Sequence, residues 1–193
     1  MCIRDSQGAE ANAKNNNGTT ALMKASQHGD TPTGEKTVQL LLQYGAEVNA
    51  KDASGGTALM VASASGSIEK VQVLLAQGAE VDATDNEGHT AFIIASALGR
   101  LENVQALLMQ GAEINTKNHE GYTALLYAAE GRHPHIIQFL LAQGAAIDAA
   151  NHHGDTALKL AWKYRYTEIV RVLNRHIGRK FLKVCPLLTS LTK

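Results

Sequence analysis

Several whole classes of protein are excluded by what this 193-residue chain has little of. It holds two cysteines, Cys2 and Cys185, near opposite ends, so no disulfide framework is available and no oxidising compartment is required. Aromatic residues make up 5% of the chain and charged residues 19%, with 18 basic side chains against 18 acidic ones. Without a surplus of lysine and arginine the chain lacks the electrostatic basis of general nucleic-acid affinity. No apolar run approaches the roughly 18 residues of a membrane-spanning helix, and the first residues lack a signal-peptide pattern. Disorder is excluded too, because 45% of the residues are hydrophobic and the aliphatics are ordinary in number. The length suits one or two ordinary domains with a real core, expected to be soluble and globular.

What is present is repetition. Thr57, Thr90, Thr123 and Thr156 stand 33 residues apart, each inside a Gly-x-Thr-Ala signature. The pairs Gly45-Ala46, Gly78-Ala79, Gly111-Ala112 and Gly144-Ala145 keep the same step. Thr20 lies 37 residues before Thr57, so the first unit carries four extra residues, between Gly29 and Val38. This gives repeat 1 at 15–51 with its insertion, then repeats at 52–84, 85–117, 118–150 and 151–178. Residues 7–14 match the tail of a unit whose front is missing.

Each unit reads as local chemistry. Asn15, Asp52, Asp85, Asn118 and Asn151 stand three residues before Gly18, Gly55, Gly88, Gly121 and Gly154, the pattern of an Asx turn followed by a residue free to take positive φ. The threonine two residues past each glycine is placed to cap a short helix. That helix carries Ala25, Ala62, Ala95, Ala128 or Ala161, small enough for close helix approach. A second helix bears the stripes Val71/Leu74/Leu75, Val104/Leu107/Leu108 and Ile137/Leu140/Leu141, whose i, i+3, i+4 spacing demands burial. Gly45, Gly78, Gly111 and Gly144 suit the left-handed residue that ends it. Segments such as Glu47-Val48-Asn49-Ala50 are expected to be extended arms.

Helix–turn–helix units with hairpin loops on a 33-residue period, containing Thr-x-Leu-x-x-Ala, resemble the ankyrin repeat from about Gln7 to Ile177. The resemblance implies an all-α ankyrin-repeat solenoid. Where that family usually has Thr-Pro-Leu-His, this chain has Thr-Ala-Leu-Met twice, then Thr90-Ala91-Phe92-Ile93, Thr123-Ala124-Leu125-Leu126 and Thr156-Ala157-Leu158-Lys159. The missing histidines remove a hydrogen-bonded brace typical of the family.

The ends depart from the pattern. Trp162 replaces Ser26, Ser63, Ser96 and Ala129, where a large ring would obstruct a following unit and could cover the end of the stack. Ile177 replaces the terminal glycine, so the last helix is expected to run on and repeat 5 to act as a C-terminal cap. Residues 179–193 form a basic and apolar tail. Met1–Ser6 match nothing in the repeat and are similar to a translated adapter sequence, so they are read as foreign, with the natural protein extending further upstream.

Each candidate for chemistry has a plainer explanation. Gly29 to Thr37 nearly spell a phosphate loop, but Glu35 separates the second glycine from Lys36 and a helix rather than a strand precedes it; an enlarged inter-helix loop is the expectation. His133-Pro134-His135 and His152-His153 have no nearby cysteine and no third ligand, so no metal is expected, and Pro134 suits the first turn of a helix. Ser26, Ser63 and Ser96 share one helical position, which signals packing rather than a nucleophile. Recurrent carboxylates such as Asp52 and Asp85 are explained by turns. No cofactor and no catalytic group is assigned, and the chain is not read as an enzyme.

Charge is uneven along the chain. Before Arg171 there are 18 acidic and 12 basic residues; from Arg171 onward there are six basic residues and no acidic ones. On a continued helix Val170, Leu173, Ile177, Phe181 and Val184 would form one apolar stripe among basic residues. Such a helix could dock weakly on an anionic membrane, but Gly178 and Pro186 favour packing onto repeat 4.

The resemblance implies a monomeric, non-catalytic scaffold or adaptor that grips another protein on its concave face, made by hairpin tips and first helices. The alternative is the recognition arm of a larger enzyme or secreted effector. The cytoplasm is the default compartment, and an upstream extension would leave it open. Carried across residue by residue, the family's contact positions are Asn16, Asn17, Thr19, Gln27 and His28 in repeat 1 and a bland Ala53, Ser54, Gly56, Ala64 and Ser65 in repeat 2. Repeat 3 offers Asn86, Glu87, His89, Ala97 and Leu98, and repeat 4 His119, Glu120, Tyr122 and Glu130. Repeat 5 offers His152, His153, Asp155, Lys163 and Tyr164. Aromatic and amphipathic side chains dominate interface energetics, so Tyr122, His89 and Tyr164 are expected to matter most. On this reading, alanine at Tyr122 and His89 costs affinity and leaves the melting curve nearly unchanged.

Overall fold

A computed structural model describes residues 10–27 and 32–184. Its helices come in five pairs: α1 (Ala21–Gln27) with α2 (Pro32–Gln43), α3 (Ala58–Ser65) with α4 (Ile68–Ala76), α5 (Ala91–Ala97) with α6 (Leu101–Met109), α7 (Ala124–Glu130) with α8 (Pro134–Ala142), and α9 (Ala157–Lys163) with α10 (Thr167–Val184). First helices pack on first helices and second on second, linking each pair to its neighbours in a solenoid. No sheet forms among the described residues; two isolated bridges, Lys14–Thr20 and Ala150–Thr156, mark the hairpins.

The recurring residues build the frame. Each threonine hydroxyl accepts the amide three residues on, Thr20 from Met23, Thr57 from Met60, Thr90 from Ile93, Thr123 from Leu126 and Thr156 from Lys159, at 3.2–3.4 Å. Each turn Asx takes two amides on one Oδ1; Asp52, for example, accepts from Ser54 at 2.9 Å and Gly56 at 2.8 Å. The first-helix alanines Ala62, Ala95, Ala128 and Ala161 are fully buried, as are Val71, Leu74, Val104, Leu107, Ile137 and Leu140 on the second helices. Ser26, Ser63 and Ser96 are fully buried as well, which suits packing.

Adjacent tips are also stitched to one another. The Ala53 amide donates to Asn17 O, Asn86 to Ser54 O, His119 to Glu87 O and His152 to Glu120 O, all within 2.9–3.0 Å. A second seam comes from Asn12, Asn49, Asp82 and Asn115, whose Oδ1 atoms accept the amides of Glu47, Glu80, Glu113 and Ala146 in the following unit.

Three expectations are corrected. The segments after the second helices are turns rather than extended arms: the amides of Ala50 and Ala83 return to the carbonyls of Glu47 and Glu80 at 3.3 and 3.4 Å. The insertion does not simply enlarge a loop. Helix α2 spans 12 residues where α4, α6 and α8 span nine, so most of it lengthens the helix, and Gly34 to Thr37 are helical. Residues 28–31, with His28, lie outside the described residues. Trp162 stays 64% exposed, so it covers little of the end face of the stack. On the same face the exposed Lys159 holds the position taken by the buried Met23, Met60, Ile93 and Leu126 elsewhere, and its ammonium donates to Gly154 O at 2.7 Å.

The last helix does run on, for 18 residues, and packs against α8 and α9 with Ile169 and Leu173 fully buried. The side chains of Phe181 and Val184, like residues 1–9 and 185–193, lie outside the described set. Among the described residues no helix is long and apolar enough to cross a membrane.

One turn glycine shows how tightly the tips stack. Gly121 has φ +81°, and a Cβ there would stand 2.8 Å from His152 Cδ2 and 3.0 Å from its backbone nitrogen. Gly121→Ala is therefore expected to cost more than the roughly 1–2 kcal/mol of the left-handed backbone, read as a lowered thermal midpoint. Gly144→Ala, with a similar φ and open space around it, should cost only the backbone part.

Candidate protein-interaction face

The expected contact residues divide into those the stack itself uses and those it leaves free. Asn86, His119 and His152 each sit over the preceding turn glycine, at Gly55, Gly88 and Gly121. Asn86 Nδ2 also donates to Ala53 O at 3.0 Å. Asn16 and Asn17 are exposed at the first tip, and Thr19 is half-buried. With Met23, Lys24, Gln27, Asp52, Val61, Ala64 and Ser65, Thr19 lines an open groove of about 500 Å³. The small residues of the second unit therefore make a recess, a shape that a list of bland side chains does not convey.

His89 is not free for a partner. Its Nδ1 lies 3.1 Å from Asp85 Oδ2 and 3.5 Å from Glu87 Oε2; its Nε2 lies 2.9 Å from the Tyr127 hydroxyl and 3.1 Å from Asn118 Nδ2. The carboxylate fixes the tautomer, with Nδ1–H donating to Asp85 and Nε2 left to accept. Asn118 Nδ2 also donates to Tyr127 Oη at 3.1 Å. The network joins the third helix pair to the fourth, a brace supplied by a tip histidine in a chain that lacks the family's usual one. Burial pushes the Asp85 carboxyl up, but the amides of His89 and Glu87 and the His89 ring outweigh it and hold the pKa below the ordinary value. Burial, with Glu120, Tyr122 and Glu130 nearby, pushes the Tyr127 phenol up to about 12.

Tyr127 was not among the sequence candidates, because its place in a short helix reads as core. Tyr122 packs against it with the rings tilted by 35° and centroids 4.8 Å apart. Beyond lie Glu130, which accepts from the Tyr164 hydroxyl at 3.1 Å, and Asp155. Burial, then Glu130, Tyr164 and Asp155, raises the Tyr122 phenol; the Asn151 amide approaches and tempers the rise, with Nδ2 outside hydrogen-bonding geometry. The bond to Glu130 raises the Tyr164 phenol. Lys163 Nζ lies 5.5 Å from the centre of the Tyr164 ring, and Arg132 Cζ 5.7 Å from that of Tyr166. Tyr122, Glu130, Asp155, Lys163 and Tyr164 thus form one patch, and Leu98, 49% exposed, lies at the end of α5. Glu87, Glu120 and His153 are exposed at their tips.

His133 Nε2 meets Ala97 O at 3.0 Å. Among the described residues no three His, Cys, Asp or Glu side chains come together in a way that could hold a metal ion.

A family model described as Ankyrin repeats (3 copies) matches residues 2–85, 33–118 and 92–181. None of the curated proteins compared with the chain matches it.

Proposed function

Because the chain belongs to the ankyrin-repeat family, we propose that it is a non-catalytic scaffold holding a partner protein on its concave face. Ankyrin repeats are generally protein–protein interaction modules and typically carry no catalysis. The observation that supports the reading here is the division of labour within each unit. Residues that recur (the turn Asx and glycine, the capping threonine, the helix alanine) are consumed by the frame. Positions that vary along the stack (Asn17, Ser54, Glu87, Glu120 and His153; Thr19, Gly56, Tyr122 and Asp155) lie at the tips. The five units act as each other's alignment, and the positions the frame does not need are the ones free to choose a partner.

The Asp85–His89–Tyr127 chain has the order of a catalytic triad but not its chemistry. A nucleophile must lose its proton readily, whereas the Tyr127 phenol is held near 12 and is engaged by both Asn118 and His89. The reading is the same for a stand-alone adaptor and for the recognition arm of a longer enzyme or effector, because in both the concave face does the holding.

Photo-crosslinking in the native cell tests it. A crosslinking residue at Leu98 or Tyr122 is expected to trap a discrete partner, and one at the exposed Gln105 on α6 is not. Crosslinks from Gln105 but neither concave position would overturn the reading, as would their absence from all three.

A further inference from the structure

We propose that the last three units grip a cationic segment of the partner, with a lysine or arginine side chain seated on Tyr122 and Tyr164 between Glu130 and Asp155. This rests on the concave face being the partner-binding face and adds the chemistry of what it takes.

Formal charge is graded along that face. The tip positions of the first two units, Asn16, Asn17, Thr19, Ala53, Ser54 and Gly56, carry none. Across the last three units the proposed contacts include the carboxylates Glu87, Glu120, Glu130 and Asp155, with Lys163 as the only lysine or arginine. The four carboxylates do not stand alone, because two tyrosines lie among them. The Tyr164 hydroxyl donates to Glu130 Oε1 at 3.1 Å, and Glu130 and Asp155 each lie close enough to both rings to raise the Tyr122 and Tyr164 phenols. A ring face flanked by carboxylates attracts a cation twice over, through its quadrupole and through direct charge.

The molecule supplies its own example of that contact. Lys163 lies over Tyr164 and Arg132 over Tyr166, so rings at this end of the stack already take side-chain cations at 5.5 and 5.7 Å. An apolar or acidic segment laid on the same patch would strip water from Glu130 and Asp155 and offer nothing in return, which disfavours both. A cationic segment restores what desolvation removes. Its approach is also steered by the field of the face, so binding should weaken as salt rises.

The test uses a random twelve-residue displayed peptide library panned on the intact chain, with affinities of the enriched peptides measured by fluorescence anisotropy. Enriched peptides are expected to carry a surplus of lysine and arginine. Their affinity should fall roughly tenfold when Glu130→Gln and Asp155→Asn are combined. It should fall again between about 50 mM and about 500 mM salt. Glu102→Gln, an exposed carboxylate on α6, should change nothing. Lys163→Gln removes the competing cation from Tyr164 and should tighten binding severalfold, a gain that a misfolded variant cannot imitate. Peptides that need Tyr122 yet carry no basic surplus would overturn the cationic assignment and leave the concave face standing. Equal losses with Glu102→Gln would overturn it as unspecific attraction. Failure of the library to yield any peptide dependent on Glu130 and Asp155 would overturn it too, with the crosslinking at Leu98 and Tyr122 judging the face separately.

Discussion

Phe92→Ala is expected to lower the stability of the chain by about 3–5 kcal/mol, measured by chemical denaturation followed by circular dichroism. Phe92 is 1% exposed on α5, at the register held by Leu22, Leu59 and Leu125 in other units. Because α5 packs on both α3 and α7, truncation opens a void that touches two inter-unit interfaces at once. A solenoid is coupled only through nearest neighbours, so damage at its centre separates two flanking blocks, whereas the same damage at an end frays one unit. The transition should broaden as well as shift. Phe92→Leu, matching the residue its neighbours use, should cost much less, about 1–1.5 kcal/mol. Loss of under 1 kcal/mol for the alanine variant would show that this interface is not packed as described.

The second large effect belongs to the brace between the third and fourth units. His89→Ala leaves Asp85, Asn118 and Tyr127 short of a partner, and Tyr127→Phe removes the hydroxyl that Asn118 and His89 share. Each is expected to cost about 1–3 kcal/mol, and the double variant less than their sum, with a coupling of at least about 0.5 kcal/mol. Strict additivity would mean the network is incidental. The expectation that alanine at His89 spares the melting curve is replaced: His89 is half-buried and bonded on both ring nitrogens, so the melt should shift whatever happens to binding. Acid should act through Asp85. Its folded pKa lies below the unfolded value of about 3.9. Its contribution is therefore complete above that value and lost as pH falls through the lower folded one. The difference in stability between wild type and Asp85→Asn should hold from neutrality to about pH 4 and shrink below it.

The frame was legible because it recurs. The Asx turns, the capping threonines and the buried alanines each appear five times, and a requirement repeated five times at fixed spacing leaves little else to explain it. Part of the seam was legible in principle: Asn12, Asn49, Asp82 and Asn115 keep the same step as the turn residues, although their bonds run to the next unit rather than to their own. The His89–Tyr127 brace was not. It joins a tip to a helix 38 residues on, a pairing of different registers that a 33-residue comparison never aligns. The lengthened α2 was missed for a related reason, since inserted residues are read as loop when the flanking units supply no counterpart. The candidate site was legible as positions and illegible as chemistry: the sequence named Tyr122, Glu130, Asp155 and Tyr164 separately, and only the fold shows that they adjoin.

Lys159 has a consequence for assembly. Translational repetition makes the two ends of any solenoid potential mates, and a head-to-tail contact between identical copies does not close on itself; it propagates into a fibre. Continuing the stack across molecules would require the buried register of Met23, Met60, Ile93 and Leu126 to be filled at the junction by an ammonium already bound to Gly154 O. Burying it there carries a desolvation cost that the apolar residues at the internal junctions never meet. Trp162 adds bulk where Ser26, Ser63, Ser96 and Ala129 permit close approach. The last described unit thus makes the periodicity asymmetric: where the pattern inside the chain offers its neighbour an apolar side chain, Lys159 offers an ammonium already held by Gly154 O.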